Sequence, residues 1–207
     1  MTTLPMIYVI PITGPDAASS KRICLICKAQ SSLALTCFLN ANPVEKKNWN
    51  EKTFSIALEL DRIANRFPNL HVSLVVLNEA EAEQEEVDIR EFVTLEDKGD
   101  LLVRQSPMAQ IANEELARKF FQRVPYLVET ANEEVRREIH SVSDDLNLQI
   151  PVAIVPFGGI PSSVPLDSSA TTNFLLYQNR RLLISSTEND EKGLETIENL
   201  ILARMER

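Results

Sequence analysis

Three thiols fall within fourteen residues of this chain: Cys24, Cys27 and Cys37. Cys24-Leu25-Ile26-Cys27 has C-x-x-C spacing, which serves thiol redox chemistry when the first thiol sits at a helix N-terminus and the helix dipole lowers its pKa. Here the motif lies in RICLICK, Arg22–Lys28, an apolar strand-like run with no glycine or proline to make a strand-to-helix turn. On a strand, residues three apart point to opposite faces, so the two thiols would neither pair nor hold one ion. Zinc needs four ligands, and only Cys37, His71 and His140 remain to complete a set, none in a knuckle spacing. The expectation is buried structural thiols, with a thiol-redox role for Cys24 and Cys27 as the remote alternative.

The double glycine Gly158-Gly159 follows an apolar run and opens into Ile160-Pro161-Ser162-Ser163. Glycine lets backbone amides approach an anion at the end of a strand. A P-loop would need a following lysine, and no Lys or Arg lies between Asp145 and Arg180. A dinucleotide loop would lead into a helix, which Pro161 and Pro165 prevent. The loop reads first as a structural turn and second as a small-ligand site built on Gly158, Gly159, Ser162 and Ser163. His71 opens a strand and His140 closes a helix. No G-x-S-x-G elbow and no calcium-loop pattern is present.

Charge is concentrated rather than spread. Glu79 to Asp97 carries nine carboxylates against Arg90 alone, a net −8 of the chain's −9. Such a field repels phosphate backbones and anionic lipid and favours basic protein surfaces. Glu79, Glu81, Glu83, Glu85, Glu86 and Asp88 are therefore the candidate contacts for a basic partner protein. Basic residues are scattered, without aromatic interleaving, which disfavours nucleic acid. No cofactor or metal is implied.

With 207 residues the chain fits one domain and needs no staples to build a core. An odd, clustered set of thiols fits a reducing compartment. The N-terminus lacks a positive n-region and is broken by Pro5 and Pro11, and four prolines interrupt the long neutral run Leu146–Asn179. The expectation is a cytoplasmic protein with no membrane insertion.

The elements that would position these residues alternate. Met6–Ile12 reads as an edge strand, and Arg22–Lys28 with Leu33–Leu39 as a hairpin. A helix follows over Glu51–Arg66, capped by Asn50 and stopped by Pro68, with Ile56, Leu60, Ile63 and Phe67 on one stripe. His71–Leu77 is a strand. The first half of the acidic block, Glu79–Ile89, is a marginal helix or solvated loop. A short strand at Leu101–Val103 and a helix from Ser106-Pro107 to Val124 come next, then a helix over Tyr126–His140. Gln149–Phe157 is a buried strand. Asn173–Tyr177 and Arg181–Ser185 form a hairpin, and Asp190–Met205 is the last helix. The sum is one α/β domain (α+β in the other reading) over 1–207: a mixed sheet of about six to seven strands with hairpins, flanked by about four helices.

The closing order of hairpin then amphipathic helix resembles thioredoxin-like domains. It covers about a quarter of the chain, carries no motif, and has no proline just before the hairpin's first strand. With no coherent active-site set, the functional expectation is a non-catalytic interaction protein: an adaptor, chaperone-like or assembly subunit engaging a partner through the acidic surface and the neutral Pro/Ser-rich region. A ligand binder or enzyme at Gly158-Gly159 is the alternative.

Overall fold

The computed structural model describes residues 2–19, 22–29, 32–40, 49–79, 81–88, 103–105, 123–130, 133–156, 160–187 and 191–205. The strands are β1 (Tyr8–Pro11), β2 (Ile23–Cys24), β3 (Leu33–Leu39), β4 (His71–Glu79), β5 (Glu81–Asp88), β6 (Val103–Gln105), β7 (Arg123–Thr130), β8 (Val152–Val155), β9 (Thr172–Gln178) and β10 (Arg181–Thr187). The α-helices among the described residues are α1 (Leu25–Ala29), α2 (Glu51–Arg66), α3 (Glu133–Asp145) and α4 (Glu191–Met205). Seven strands form a mixed sheet in the order β10-β9-β3-β4-β8-β1-β2. In it β3, β4 and β8 are mutually parallel and the other pairings antiparallel.

The centre of the sheet is apolar on both faces. Every residue of β3 and β8 is buried, as continuous runs of LALTCFL and VAIV require when helices or loops cover both sides. On one face, α2 supplies Ile56, Leu60 and Ile63, α3 supplies Ile139 and Val142, and α4 supplies Ile197 and Ile201. The opposite face is covered by α1 with Leu25, Ile26 and Ala29, by Leu4 and Ile7 of the N-terminal arm, and by Val164. Each of these Val, Leu and Ile side chains contributes about 1.5–3 kcal/mol when fully buried.

The helix at Glu51–Arg66 starts as its sequence predicts. The Asn50 side chain accepts from the backbone N–H groups of Lys52 and Thr53, and Thr53 Oγ1 accepts from the Asn50 N–H in return. The closing hairpin also holds, with β9 and β10 joined through Asn179 and Arg180, both at positive φ (52° and 63°). That backbone suits a two-residue turn between twisted strands.

Four local expectations are corrected. The run Arg22–Lys28 is not one strand of a hairpin. Ile23–Cys24 pairs with β1, the chain turns at once into α1, and β3 pairs instead with β4 and β9. Leu25, Ile26 and Ala29 are buried at helical spacing, and so short an apolar run satisfies either period. The strand near the N-terminus is not at the sheet edge, because β1 lies between β8 and β2. Glu81–Asp88 is neither helix nor loop. It is a strand paired along its whole length with β7, from Glu81 opposite Thr130 to Asp88 opposite Arg123. Finally, Arg123–Thr130 is strand where helix was expected from Tyr126, and the helix starts at Glu133. Arg123–Thr130, the partner of Glu81–Asp88, reads RVPYLVET and is rich in strand formers, so pairing overrides the poor strand propensity of glutamate. Among the described residues β6 pairs with Tyr126 to Val128 and does not reach Pro125, as suits a residue with no N–H to give to a ladder. The strand expected at Leu101–Val103 appears as β6, Val103–Gln105; of the helix expected from Ser106-Pro107 to Val124, residues 106–122 lie outside the described residues, and Arg123 and Val124 are strand.

Candidate functional site

Cys24 is the last residue of β2, the edge strand of the seven-stranded sheet, and Leu25 is the first of α1. The strand-to-helix junction therefore falls inside the C-x-x-C motif, with no glycine or proline needed to make it. Three residues along a helical turn bring side chains to the same side. Cys24 and Cys27 have Cα atoms 5.2 Å apart, a distance a disulfide spans, and they form one. This corrects the expectation of buried thiols on opposite faces: Cys24 is half-buried and Cys27 exposed. The backbone N–H of Cys27 donates to Cys24 Sγ at 3.1 Å. Cys37, by contrast, is 0% exposed in the middle of β3.

The surroundings of the disulfide are apolar and partly open. Tyr8 stands opposite Cys24 in the β1–β2 register, and both Tyr8 and Met6 are exposed, with the Tyr8 hydroxyl donating to Met6 Sδ at 3.3 Å. Ile23 and Leu25, the chain neighbours of Cys24, line a pocket of about 60 Å³ between α1 and the sheet. Its wall includes His71, Ser73 and Tyr177, and Lys28 and Asp16 form an ion pair at it.

Behind that wall a polar row crosses three adjacent strands. Thr36 Oγ1 on β3 hydrogen-bonds with Ser73 Oγ on β4 at 3.0 Å and with Tyr177 Oη on β9 at 3.3 Å. Burial pushes the Tyr177 phenol above its ordinary pKa, opposed by the bond to Thr36. Nothing in the sequence marks this row, since Thr36 and Tyr177 lie 141 positions apart in apolar runs.

The other expected site residues are placed as follows. His71 opens β4 and is exposed at the pocket. His140 lies inside α3 rather than at its end, and it is exposed. Ser162 and Ser163 are exposed in a turn closed by the Val164 N–H donating to the Pro161 carbonyl at 2.9 Å. Gly158 and Gly159 lie outside the described residues. Glu79 ends β4, where it pairs with Val155, and Glu81, Glu83, Glu85, Glu86 and Asp88 belong to β5. The structure thus sets the acidic residues in strands, and Ser162 and Ser163 are not among the residues that line the pocket. Among the described residues no group of three or more His, Cys, Asp or Glu is placed to hold a metal ion.

Two solved structures are similar to this chain in fold. One is a candidate thiol:disulfide interchange protein DsbE from Chlorobium tepidum, with a TM-score of 0.54 and 12% identity over 97% of this chain and 94% of that one. The other is a candidate protein disulfide isomerase from Bacteroides thetaiotaomicron, with a TM-score of 0.51 and 7% identity over 99% of this chain and 89% of that one. The fold is thioredoxin-like. No family profile and no curated protein matches the chain.

The thioredoxin-like fold extends to the whole chain the likeness first visible in its last quarter. Together with the solvent-reaching disulfide, it overturns the expectation of a non-catalytic adaptor, chaperone-like or assembly protein, and with it the lean away from an enzyme. The sequence view failed because it treated RICLICK as one strand, which separates the very thiols that the turn at Cys24 unites. Among the described residues no helix is long and apolar enough to cross a membrane.

The pair lies at the edge of the sheet, where β2 ends and α1 begins. The parallel β3-α2-β4 unit points the carboxyl end of β3 at the start of α2, where open α/β sheets generally bind ligands. Residues 40–50 there read NANPVEKKNWN and contain no cysteine. The Cys24–Cys27 disulfide lies instead at the sheet edge.

Proposed function

We propose that this protein is a thiol–disulfide exchange protein acting on the thiols of partner polypeptides, with Cys24 and Cys27 as its redox pair. The observation that carries the reading is the disulfide at the β2–α1 junction, one sulfur exposed and the other receiving a backbone N–H. A structural staple would gain nothing from exposure. Closing a loop of so few residues also restrains the unfolded chain little, so stability is a poor reason for this bond. Apolar Met6 and Tyr8 beside it suit a polypeptide substrate better than a charged small molecule.

The test is the reduction potential of the pair. Equilibration against glutathione or dithiothreitol buffers, followed by alkylation and mass counting, should give a two-electron transition between about −120 and −270 mV, the span of dithiol oxidoreductases. A value below about −300 mV is that of a structural bond, and it would sink the reading. Catalysis is checked alongside: the wild type should accelerate oxidation of a dithiol peptide, and Cys24→Ser and Cys27→Ser should each abolish it.

A further inference from the structure

We infer that the two sulfurs have fixed and different roles, with Cys27 carrying the mixed disulfide to the substrate and Cys24 serving as the leaving and resolving thiolate. This rests on the exchange reading above and adds the order of events. Three observations bear on it. Cys27 is exposed on the first turn of α1, whereas Cys24 is half-buried at the end of β2, with Tyr8 opposite it across the ladder. The Cys27 N–H points at Cys24 Sγ, at 3.1 Å, and a hydrogen bond to sulfur favours its anionic form over its neutral one. The chain neighbours of Cys24, Ile23 and Leu25, turn toward the pocket under α1 and help hold that residue in place.

Exchange rates depend on which sulfur can be reached and on how readily the other departs. Both criteria select the same direction. A substrate thiolate attacks Cys27 Sγ, forming a bond between the substrate sulfur and Cys27. The Cys24–Cys27 bond breaks, and its electron pair leaves on Cys24 as a thiolate under the Cys27 N–H. A second substrate thiolate then attacks the substrate sulfur of the mixed disulfide and releases Cys27, which takes up a proton from water. The substrate's two thiolates have been oxidised to a disulfide and the protein disulfide reduced to the Cys24 thiolate and the Cys27 thiol, a balanced two-electron exchange. Reduction of a substrate disulfide runs through the same mixed disulfide in reverse, with Cys24 expelling the reduced product from Cys27.

The decisive measurement locates the intermediate. Oxidised wild-type protein is mixed with excess reduced glutathione and quenched with acid at successive short times. Trypsin then releases Ile23–Lys28, and fragmentation of that peptide distinguishes glutathione on Cys24 from glutathione on Cys27. The expected result is glutathione on Cys27 in about tenfold or greater excess. Predominant modification of Cys24 would overturn the assignment while leaving exchange itself intact. Absence of any adduct, with the disulfide unreduced, removes exchange at this pair and the assignment with it. A second readout uses the single-thiol variants: followed by thiolate absorbance, Cys24 in Cys27→Ser should ionise about one pH unit or more below Cys27 in Cys24→Ser. The reverse order of ionisation refutes the leaving-group role.

Discussion

Replacing Thr36 with valine should destabilise the protein more than replacing Tyr177 with phenylalanine, although both remove the same hydrogen bond. Tyr177 is 2% exposed, and its hydroxyl bonds to Thr36 Oγ1 at 3.3 Å. That separation is long against the usual ~2.7–2.8 Å for hydroxyl pairs, so the bond sits toward the weak end of the ordinary ~0.5–1.5 kcal/mol. In Tyr177→Phe the hydroxyl leaves with its bond, and Thr36 keeps Ser73 at 3.0 Å, so the loss should be about 0.5–1 kcal/mol. In Thr36→Val the phenol stays buried without this partner, adding about 1–3 kcal/mol for an unsatisfied group, and Ser73 loses its bond as well. The expected total is about 2–3 kcal/mol. The double variant should cost less than the two losses added, because removing the phenol cancels the penalty that Thr36→Val creates. Urea unfolding of the oxidised protein, with equal slopes across the four proteins, measures all three values. The pH dependence gives an independent check. Burial raises the Tyr177 pKa above that of the unfolded chain, so its contribution is fully present below about pH 10 and is lost as pH climbs toward the folded value. Tyr177→Phe should flatten that alkaline decline. A Tyr177→Phe loss equal to or larger than that of Thr36→Val, or strict additivity, would refute the reasoning.

Asp61 on α2 accepts from the backbone N–H groups of Gln149 (2.6 Å) and Ile150 (3.1 Å), tying the helix to the approach to β8. Asp61→Ala should cost about 2 kcal/mol in urea unfolding and Asp61→Asn clearly less, since the amide keeps an acceptor; equal losses would contradict the capping role. Glu198 on α4 bridges Arg62 and Arg66 of α2, and Arg62 also holds the Glu59 carboxyl below its ordinary pKa. These side chains are partly exposed, so Glu198→Gln should cost no more than about 1 kcal/mol, and less at high salt. The Glu59 contribution is present above the unfolded glutamate pKa and fades as pH falls toward the folded one, which a thermal-unfolding series below pH 5 would show. Cys37, 0% exposed within β3, should resist alkylation in the native state and react only at the rate of unfolding; rapid native labelling would place it elsewhere.

The helix Glu51–Arg66 and the strands of the central sheet were readable because their patterns have a single solution. Ile56, Leu60 and Ile63 recur at helical spacing over about two turns, and Asn50 and Pro68 bound their helix. The closing hairpin was readable because charged and polar residues separate two apolar runs. Arg22–Lys28 had no such constraint. Seven mostly apolar residues fit a strand or a helical turn, and only the choice made at Cys24 places the thiols together. Glu81–Asp88 was misread for a different reason: its residues are helix formers, and pairing with Arg123–Thr130, some forty positions away, sets its conformation. The Thr36–Ser73–Tyr177 row was invisible, since strand order alone brings those residues side by side.

Why the disulfide lies at the edge while Cys37 is buried follows from that strand order. Cys37 is flanked by β4 and β9 and covered on its face by α2, α3 and α4, so a thiol there behaves as a small apolar side chain. Cys24 is only thirteen positions away, yet β2 is the last strand of the sheet and contributes two residues. A strand that ends there can turn into α1, and the turn performs three tasks together. It aligns Cys24 with Cys27 at the spacing a disulfide needs, it aims the Cys27 N–H at Cys24 Sγ, and it leaves Cys27 in solvent. Extending β2 through Cys27 would undo all three, returning the thiols to opposite faces. The chemistry of the pair therefore depends less on its C-x-x-C spacing than on β2 ending at Cys24, and α1 is held in that conformation by the burial of Leu25, Ile26 and Ala29.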